Sequence, residues 1–446
     1  MGLRTWYGSV GLLVLSGWMS VLAAEAKSPA PPADQAKASN PRLIQPADLE
    51  YRGAFRLPGP TDETGWAWGG WAITYYPDGD RGGPDDGYPG SIFGVGNEQK
   101  SHVSEISIPR PVISPGKKVE DLKTAKELQP FTDIRAGNFK DYEMYRVGLA
   151  YLPKQGKQTT GKLYFCWGQH MEEGQTGPSH GWCELNLSKP DIAGPWSIED
   201  CWHYVTTDYM FEIPQAWAQT NTPGMLLATG RFRDGGQGAQ GPALYAIGPW
   251  NEGNPPAPRT KLKAVCLLKY APVDEEGGST LKDYHHSDEW GGGAWLTAGE
   301  KSAVIFVGTK GLGKCWYGFA NGVVWPDNPP FPPIPAAPNN DRGWWSDRFQ
   351  AQMIFYDPDD LAAVSKGKMK PGAPQPYACL RLDDRLFSVK SDKQKHRVGD
   401  VCFDRERGLL YMFELRADED KPIIHVWSLS KAARTAPVRS GASRVR

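Results

Sequence analysis

The feature that most constrains this chain is a run of three short strands near its C-terminus. Val398 to Phe403 is small and apolar, Asp404-Arg-Glu-Arg-Gly408 is a polar turn closed by glycine, and Leu409 to Glu414 is a second apolar run. A charged loop from Leu415 to Lys421 leads through Pro422 into a third strand, Ile423 to Leu429. A meander of this size is marginal in water by itself, so a chain that carries one must supply copies to pack against it.

The copies are present. Gly69–Tyr76, Gly90–Gly96 and Val103–Ile108 form one, and Val147–Leu152, Lys162–Gly168 and Gly181–Leu187 form the next. Pro214–Ala218, Gly224–Gly230 and Ala243–Ile247 read as a third, and Gly292–Leu296, Ser302–Gly308 and Gln350–Tyr356 as a fourth. Fourth strands are expected at Lys263–Lys269 and Pro376–Leu382. Units of roughly 65 to 105 residues predict an all-β, five-bladed β-propeller with long insertions. The last unit lacks an outer strand, and Leu49–Leu57 lacks a partner, so the N-terminal strand is expected to close the last blade. A pair of β-sandwiches is the competing arrangement. Helical patterns are scarce, with Asp359 to Lys366 the clearest.

Met1 to Ala26 has the layout of a secretory signal: Arg4, an apolar run from Val10 to Ala24, and small residues for cleavage. Residues 27–41 read as an Ala/Pro-rich linker, 42–430 as one propeller domain with an insertion at 311–348, and 431–446 as a basic, disordered tail. The expectation is a secreted or periplasmic monomer with no membrane span after signal removal. A formal net charge of −1 gives no steering toward nucleic acid. Seven cysteines leave at least one thiol free, and a Cys183–Cys201 pair across a loop is one option.

In a propeller the loop leading into each inner strand and the loop between the second and third strands open on one face. That geometry gathers distant residues. The first set supplies Asp62, Trp66 and Trp68, then Tyr145 and Arg146, then Tyr284 through Trp290, then His396, Arg397 and Asp400. The second set supplies Glu98 and His102, His170, Arg231 and Arg233, Lys310, and Glu414 with Arg416. The insertion after Gly311 adds Trp316, Trp325, Trp344 and Trp345, and a long structureless insert in a compact fold is usually functional.

Carboxylates interleaved with aromatics suit carbohydrate, since rings stack on sugar C–H faces and two opposed carboxylates can cleave a glycosidic bond. Candidate catalytic groups are Glu98, Asp288, Glu289 and Glu414. Candidate substrate-binding groups are His102, Tyr145, Arg146, His170, Arg231, Arg233, His285, His286, Trp290, Lys310, Trp316, His396 and Arg416. A polysaccharide or oligosaccharide is the expected partner. No cofactor is expected, although His285, His286, Asp288 and Glu289 would offer donors to a structural calcium or zinc ion. The blade pattern resembles the five-bladed propellers of secreted glycoside hydrolases and related sugar-active proteins. Tyr356-Asp-Pro-Asp-Asp-Leu-Ala-Ala and Gly408-Leu-Leu-Tyr-Met-Phe-Glu are similar to segments of secreted bacterial proteins. The resemblance implies a glycoside hydrolase. A polysaccharide lyase using Tyr145, Arg146, His170, Arg231 and Arg233, or a non-catalytic glycan- or protein-binding propeller, are the alternatives.

Gly308-Thr-Lys-Gly-Leu-Gly-Lys-Cys315 has the spacing of a phosphate loop, but Cys315 replaces the hydroxyl that would meet magnesium and no helix pattern follows. Nucleotide binding is therefore set aside.

Overall fold

The structure is a computed structural model that describes residues 40–60, 62, 64–80, 83, 88–135, 137, 144–169, 176–231, 240–248, 254–271 and 280–430, the side chains of 144–146, 169 and 204 excepted. The signal segment, nearly all of the linker and the basic tail lie outside the described residues. So do His170, Arg233 and the side chains of Tyr145 and Arg146.

Five sheets form the body. Blade 1 comprises Ile73–Tyr76, Ser91–Val95, Val103–Ser107 and Glu127–Thr132. Blade 2 comprises Met144–Leu152, Lys162–Gln169, His180–Glu184 and Ala193–Ile198, with Lys261–Leu262 added in parallel at its edge. Blade 3 is Tyr209–Glu212, Leu227–Arg231, Ala243–Ile247 and Ala264–Leu268. Blade 4 is Glu289–Ala298, Lys301–Gly318, Gly343–Tyr356 and Ala378–Arg381. Blade 5 is Val398–Asp404, Leu409–Asp418 and Lys421–Leu429, completed by the N-terminal strand Leu49–Arg56. Each inner strand packs on the next in chain order, and that of blade 5 packs on that of blade 1. The result is a closed five-bladed β-propeller.

The apolar runs follow from this packing. A strand's side chains alternate between two faces, and in a ring both faces meet another blade. Ile305 and Val307 point into the seam shared with blade 5, beside Leu410 and Met412. Val304 and Phe306 point into the seam with blade 3, beside Phe211 and Leu244. The other three seams are filled in the same way. A strand buried on both faces has no polar side to display, so it reads as continuous rather than alternating apolar sequence.

The closing strand pairs antiparallel with Lys421–Leu429, from Leu49↔Leu429 to Arg56↔Ile423, with a bulge between Tyr51 and Gly53. Gly53 has φ +112°, and a Cβ there would lie 2.4 Å from the Val112 carbonyl carbon, so only glycine fits. The N-terminal closure expected from sequence is therefore present.

Three expectations are corrected. Pro214–Ala218 is not an inner strand: Gln215–Asn221 is a short helix behind Pro214, packing Trp217 against Trp295 at 4.6 Å, and the strand is Tyr209–Glu212. The insertion of blade 4 is not structureless, because its two ends prolong the second and third strands as a paired ribbon out to Gly318↔Gly343. Cys183 and Cys201 do not pair; both are free and sit in separate apolar clusters.

Candidate functional site

The face on which the inner strands begin, called upper here, carries most of the candidate groups. Its rim is built from sharply held loops. Asn97 donates its side-chain N–H to the Ala67 carbonyl at 3.0 Å and its backbone N–H to Gly65 at 2.9 Å. The turn from Asn97 to Ser101 is thereby fixed and presents Glu98, whose carboxylate accepts from Trp71 Nε1 at 3.0 Å. Trp71 in turn meets His396 edge-on, with ring centroids 5.9 Å apart. His396 Nδ1 lies 2.8 Å from Oε2 of Glu289, a close polar contact that is not a hydrogen bond. Blades 1, 4 and 5 thus bring Glu98, Trp71, His396 and Glu289 into one cluster, with Trp71 buried and the other three partly exposed.

His396 is placed by its neighbour. Arg397 is buried, pairs with Asp383 at 2.8 Å and donates to the carbonyls of Ser391, Asp392 and Gln394. The loop before blade 5 is therefore wrapped around one guanidinium, with His396 at its end. Trp71 is set by the tight crossing beneath it, where Asp400 N donates to Gly70 O at 3.1 Å and a Cβ on Gly399 would lie 1.9 Å from that oxygen.

Four non-glycine residues with left-handed backbones belong to this rim: Trp68 (φ 61°), Ser101 (φ 50°), His396 (φ 50°) and Arg416 (φ 52°). Such conformations cost of order 1–3 kcal/mol each and gather where side chains must be aimed. Trp68 is 43% exposed, and the Arg416 guanidinium lies 5.1 Å from its ring centroid.

The other candidates sit deeper. Asp288 is fully buried, accepts from Lys310 Nζ at 3.0 Å, Gly311 N at 2.8 Å and His285 N at 3.0 Å, and burial pushes its carboxyl up. Glu414 is also buried, accepting from Phe387 N at 2.8 Å, Ser388 N at 2.6 Å and His425 Nε2 at 2.7 Å. His425 Nδ1 continues to the Tyr51 hydroxyl at 2.9 Å, which makes a Tyr51–His425–Glu414 chain inside blade 5. Arg231 is buried, with Nε 3.9 Å from Asp208. Trp290 belongs to the core between blades 3 and 4. Trp316 is buried and donates to the Phe319 carbonyl, with Lys393 over its ring. His285 bonds Ser346 Oγ at 3.1 Å, and burial lowers its pKa. His286 stacks on Trp344 at 4.3 Å. His102 is half-buried with its pKa lowered by burial, at the end of the Glu98 loop. Among the described residues, no three His, Cys, Asp or Glu side chains are grouped to hold a metal ion.

Sequence reasoning missed Trp71, which lies in the first copy and reads there as an ordinary core residue; its Gly69-Gly70 lead is the only local signal. It also missed the lower face, whose turns read as unremarkable. A half-open recess of about 230 Å³ lies there, lined by residues from all five blades. Between the two faces lies Asp400, fully buried, accepting from Ile73 N at 3.1 Å and Gly293 N at 3.3 Å.

No protein-family model matches the chain, and no curated protein does. Among solved structures the chain is similar to the β-propeller domain of Cps50 (Swd1) from Myceliophteria thermophila, at 9% identity and TM-score 0.24 over 81% of this chain and 98% of that one. The fold assignment rests on the five sheets themselves.

Proposed function

We propose that the protein is a secreted, carbohydrate-active propeller that hydrolyses glycosidic bonds on its upper face, with Glu98 and Glu289 as the working carboxylates. The observation that carries this reading is the Glu98–Trp71–His396–Glu289 cluster, which joins two partly exposed carboxylates from blades far apart in sequence. Glycoside hydrolysis needs two such groups on either side of the scissile bond. Glu98, held by an indole N–H, is suited to act as base or nucleophile. Glu289, with the His396 ring against it, is the candidate acid. Trp68, with Arg416 over its ring, supplies an exposed surface on which a sugar ring can stack.

A non-catalytic glycan-binding role is the second reading, favoured by the exposure of Trp68 alone. The lyase reading leans on Tyr145, Arg146, His170 and Arg233, and its remaining member, Arg231, is buried against Asp208.

The test is incubation of the purified protein with neutral and uronic-acid polysaccharides. New reducing ends without ultraviolet absorbance, abolished in Glu98→Gln and in Glu289→Gln, are the expected result. Unsaturated, absorbing products would replace the hydrolase with a lyase, and binding without cleavage would leave a recognition propeller.

A further inference from the structure

The lower cavity has the features of a second site, independent of the upper rim. Its walls come from every inner strand, among them Tyr75, Tyr151, Phe211, Trp295 and Phe403. At about 230 Å³ it falls below the range of about 300–1,000 Å³ usual for drug-sized ligands, so it suits a small occupant. Its inner end is sealed. Asp400, between the two faces, has no exposed surface and is clamped to Ile73 and Gly293, whose immediate neighbourhood lines the cavity. An open axial channel would have wetted that carboxyl.

The charges of the lining point one way. Glu212, Asp404 and Glu406 face a single cation, Arg405. Arg405 has no donor left for a ligand. Nη1 gives to the Trp295 carbonyl at 3.2 Å and Thr297 Oγ1 at 3.0 Å. Nη2 gives to the Glu212 carbonyl and carboxylate, each at 3.4 Å, and Nε gives to the same carboxylate at 3.4 Å. All the guanidinium N–H groups are occupied, so the cavity offers an anion no receptor. Arg407, just outside, is likewise turned to Asp404 at 3.4 Å, the Tyr75 hydroxyl at 3.1 Å and Glu406 at 3.6 Å. What remains is carboxylate oxygen above aromatic walls. Glu212 and Glu406 stand at the mouth of the recess, partly open to solvent, where a carboxylate attracts a cation modestly, and aromatic rings add to it.

We infer that the lower cavity binds a small organic cation, a primary ammonium or guanidinium group on a short apolar body, with the head at Glu212 and Glu406 and the body against Phe211 and Trp295. The site does not depend on the hydrolase reading, because none of the residues assigned to the upper rim lines it.

The probes are benzylamine and phenylguanidine, with benzyl alcohol and benzoate as matched neutral and anionic controls, titrated calorimetrically into the purified protein. At least one of the two cations binds saturably with one site per chain, and neither control binds. Glu212→Gln weakens the cation at least tenfold, and Glu406→Gln, at an exposed position, weakens it severalfold, while circular dichroism melting confirms that each variant is folded. Equal binding of benzoate or benzyl alcohol overturns the assignment, as does the absence of saturable binding by either cation. Cation binding that survives both substitutions, or that is lost in Glu98→Gln, places the cation elsewhere and equally overturns it.

Discussion

Glu98 and Glu289 stand on the rim of the upper face, whereas Asp288 and Glu414 lie inside it, although all four occupy equivalent-looking places in the sequence. For Glu98, Asp288 and Glu414 the difference comes from how far the second strands run, while Glu289, at the first position of its inner strand, keeps part of its surface open. In blade 1 the strand ends at Val95, and the residues beyond it are a true turn that leaves Glu98 partly exposed. In blade 4 the second strand continues to Gly318, so Lys310 and Gly311 form part of a ladder that covers Asp288. In blade 5 the strand continues to Asp418, and Glu414 is a mid-strand residue whose carboxylate ties down the incoming loop at Phe387 and Ser388. A carboxylate with three hydrogen-bond donors in a buried site is held for structure; one that keeps part of its surface open to solvent, as Glu98 and Glu289 do, is available for chemistry.

The strongest test of that contrast is stability. Asp288→Ala leaves Lys310 buried without its counter-charge and two backbone N–H groups without an acceptor. Breaking a buried pair from one side costs about 3–5 kcal/mol, and a loss of that size is expected in the midpoint of chemical unfolding. Glu414→Ala is expected to cost about as much, because it strands His425 and two loop amides. Unchanged stability in both variants would erase the distinction between interior and rim.

The rim predicts the opposite signature. Glu98→Gln and Glu289→Gln are expected to lower polysaccharide turnover by about 10²–10⁴, the range of a general acid or base, while stability stays within about 1 kcal/mol of the parent. A variant that loses activity only by unfolding would move its carboxylate to the interior group.

This contrast also explains what could be read from sequence. Blade number, ring closure by Leu49–Arg56 and most strand positions were legible, because seam packing forces apolar runs that recur. Depth was not legible. The Gly-rich lead of the blade 4 insertion reads as loop, yet Lys310 to Gly318 pair with Gly343 to Gln350 and bury what lies below. Pro214 hid a helix because Trp217 and Ala218 are apolar enough to pass for a strand. The lower cavity was invisible for a related reason: Tyr75, Phe211 and Trp295 are strand residues, and nothing local separates a wall of a cavity from a core contact.

The axis between the faces gives a pH test of intermediate size. Asp400 is raised well above its ordinary 3.8, first by burial and then by the charge of Asp208. The folded chain therefore keeps this proton to higher pH than the unfolded chain does. The stability it contributes is full below about pH 4 and is lost as pH rises through the folded value. His180, fully buried between Ser179 and Thr229, is lowered from 6.5 to about 3 by burial. Its contribution is present above pH 6.5 and lost as pH falls toward 3. Each group can tilt the unfolding free energy by up to about 1.4 kcal/mol per pH unit. Asp400→Asn should flatten the decline on the alkaline side and His180→Gln that on the acid side. An unchanged profile in Asp400→Asn would mean that this carboxyl is already ionised in the fold, and would open the axis to water.

The smallest effect separates aiming from anchoring within the rim itself. Trp68 is exposed and holds a left-handed backbone at φ 61°, so its conformation costs stability and its ring contributes little packing in return. Trp68→Gly removes the strain, and a gain of up to about 1 kcal/mol is expected. The same variant loses the surface against which Arg416 lies, and KM for the polysaccharide should rise several-fold with kcat nearly unchanged, the signature of lost uniform binding. Trp68→Ala, which keeps the strain, should show the KM effect without the gain. If Trp68→Gly is instead destabilising, the indole is an anchor for the loop and not a platform for sugar, and the rim would then depend on Trp71 alone for its aromatic contact.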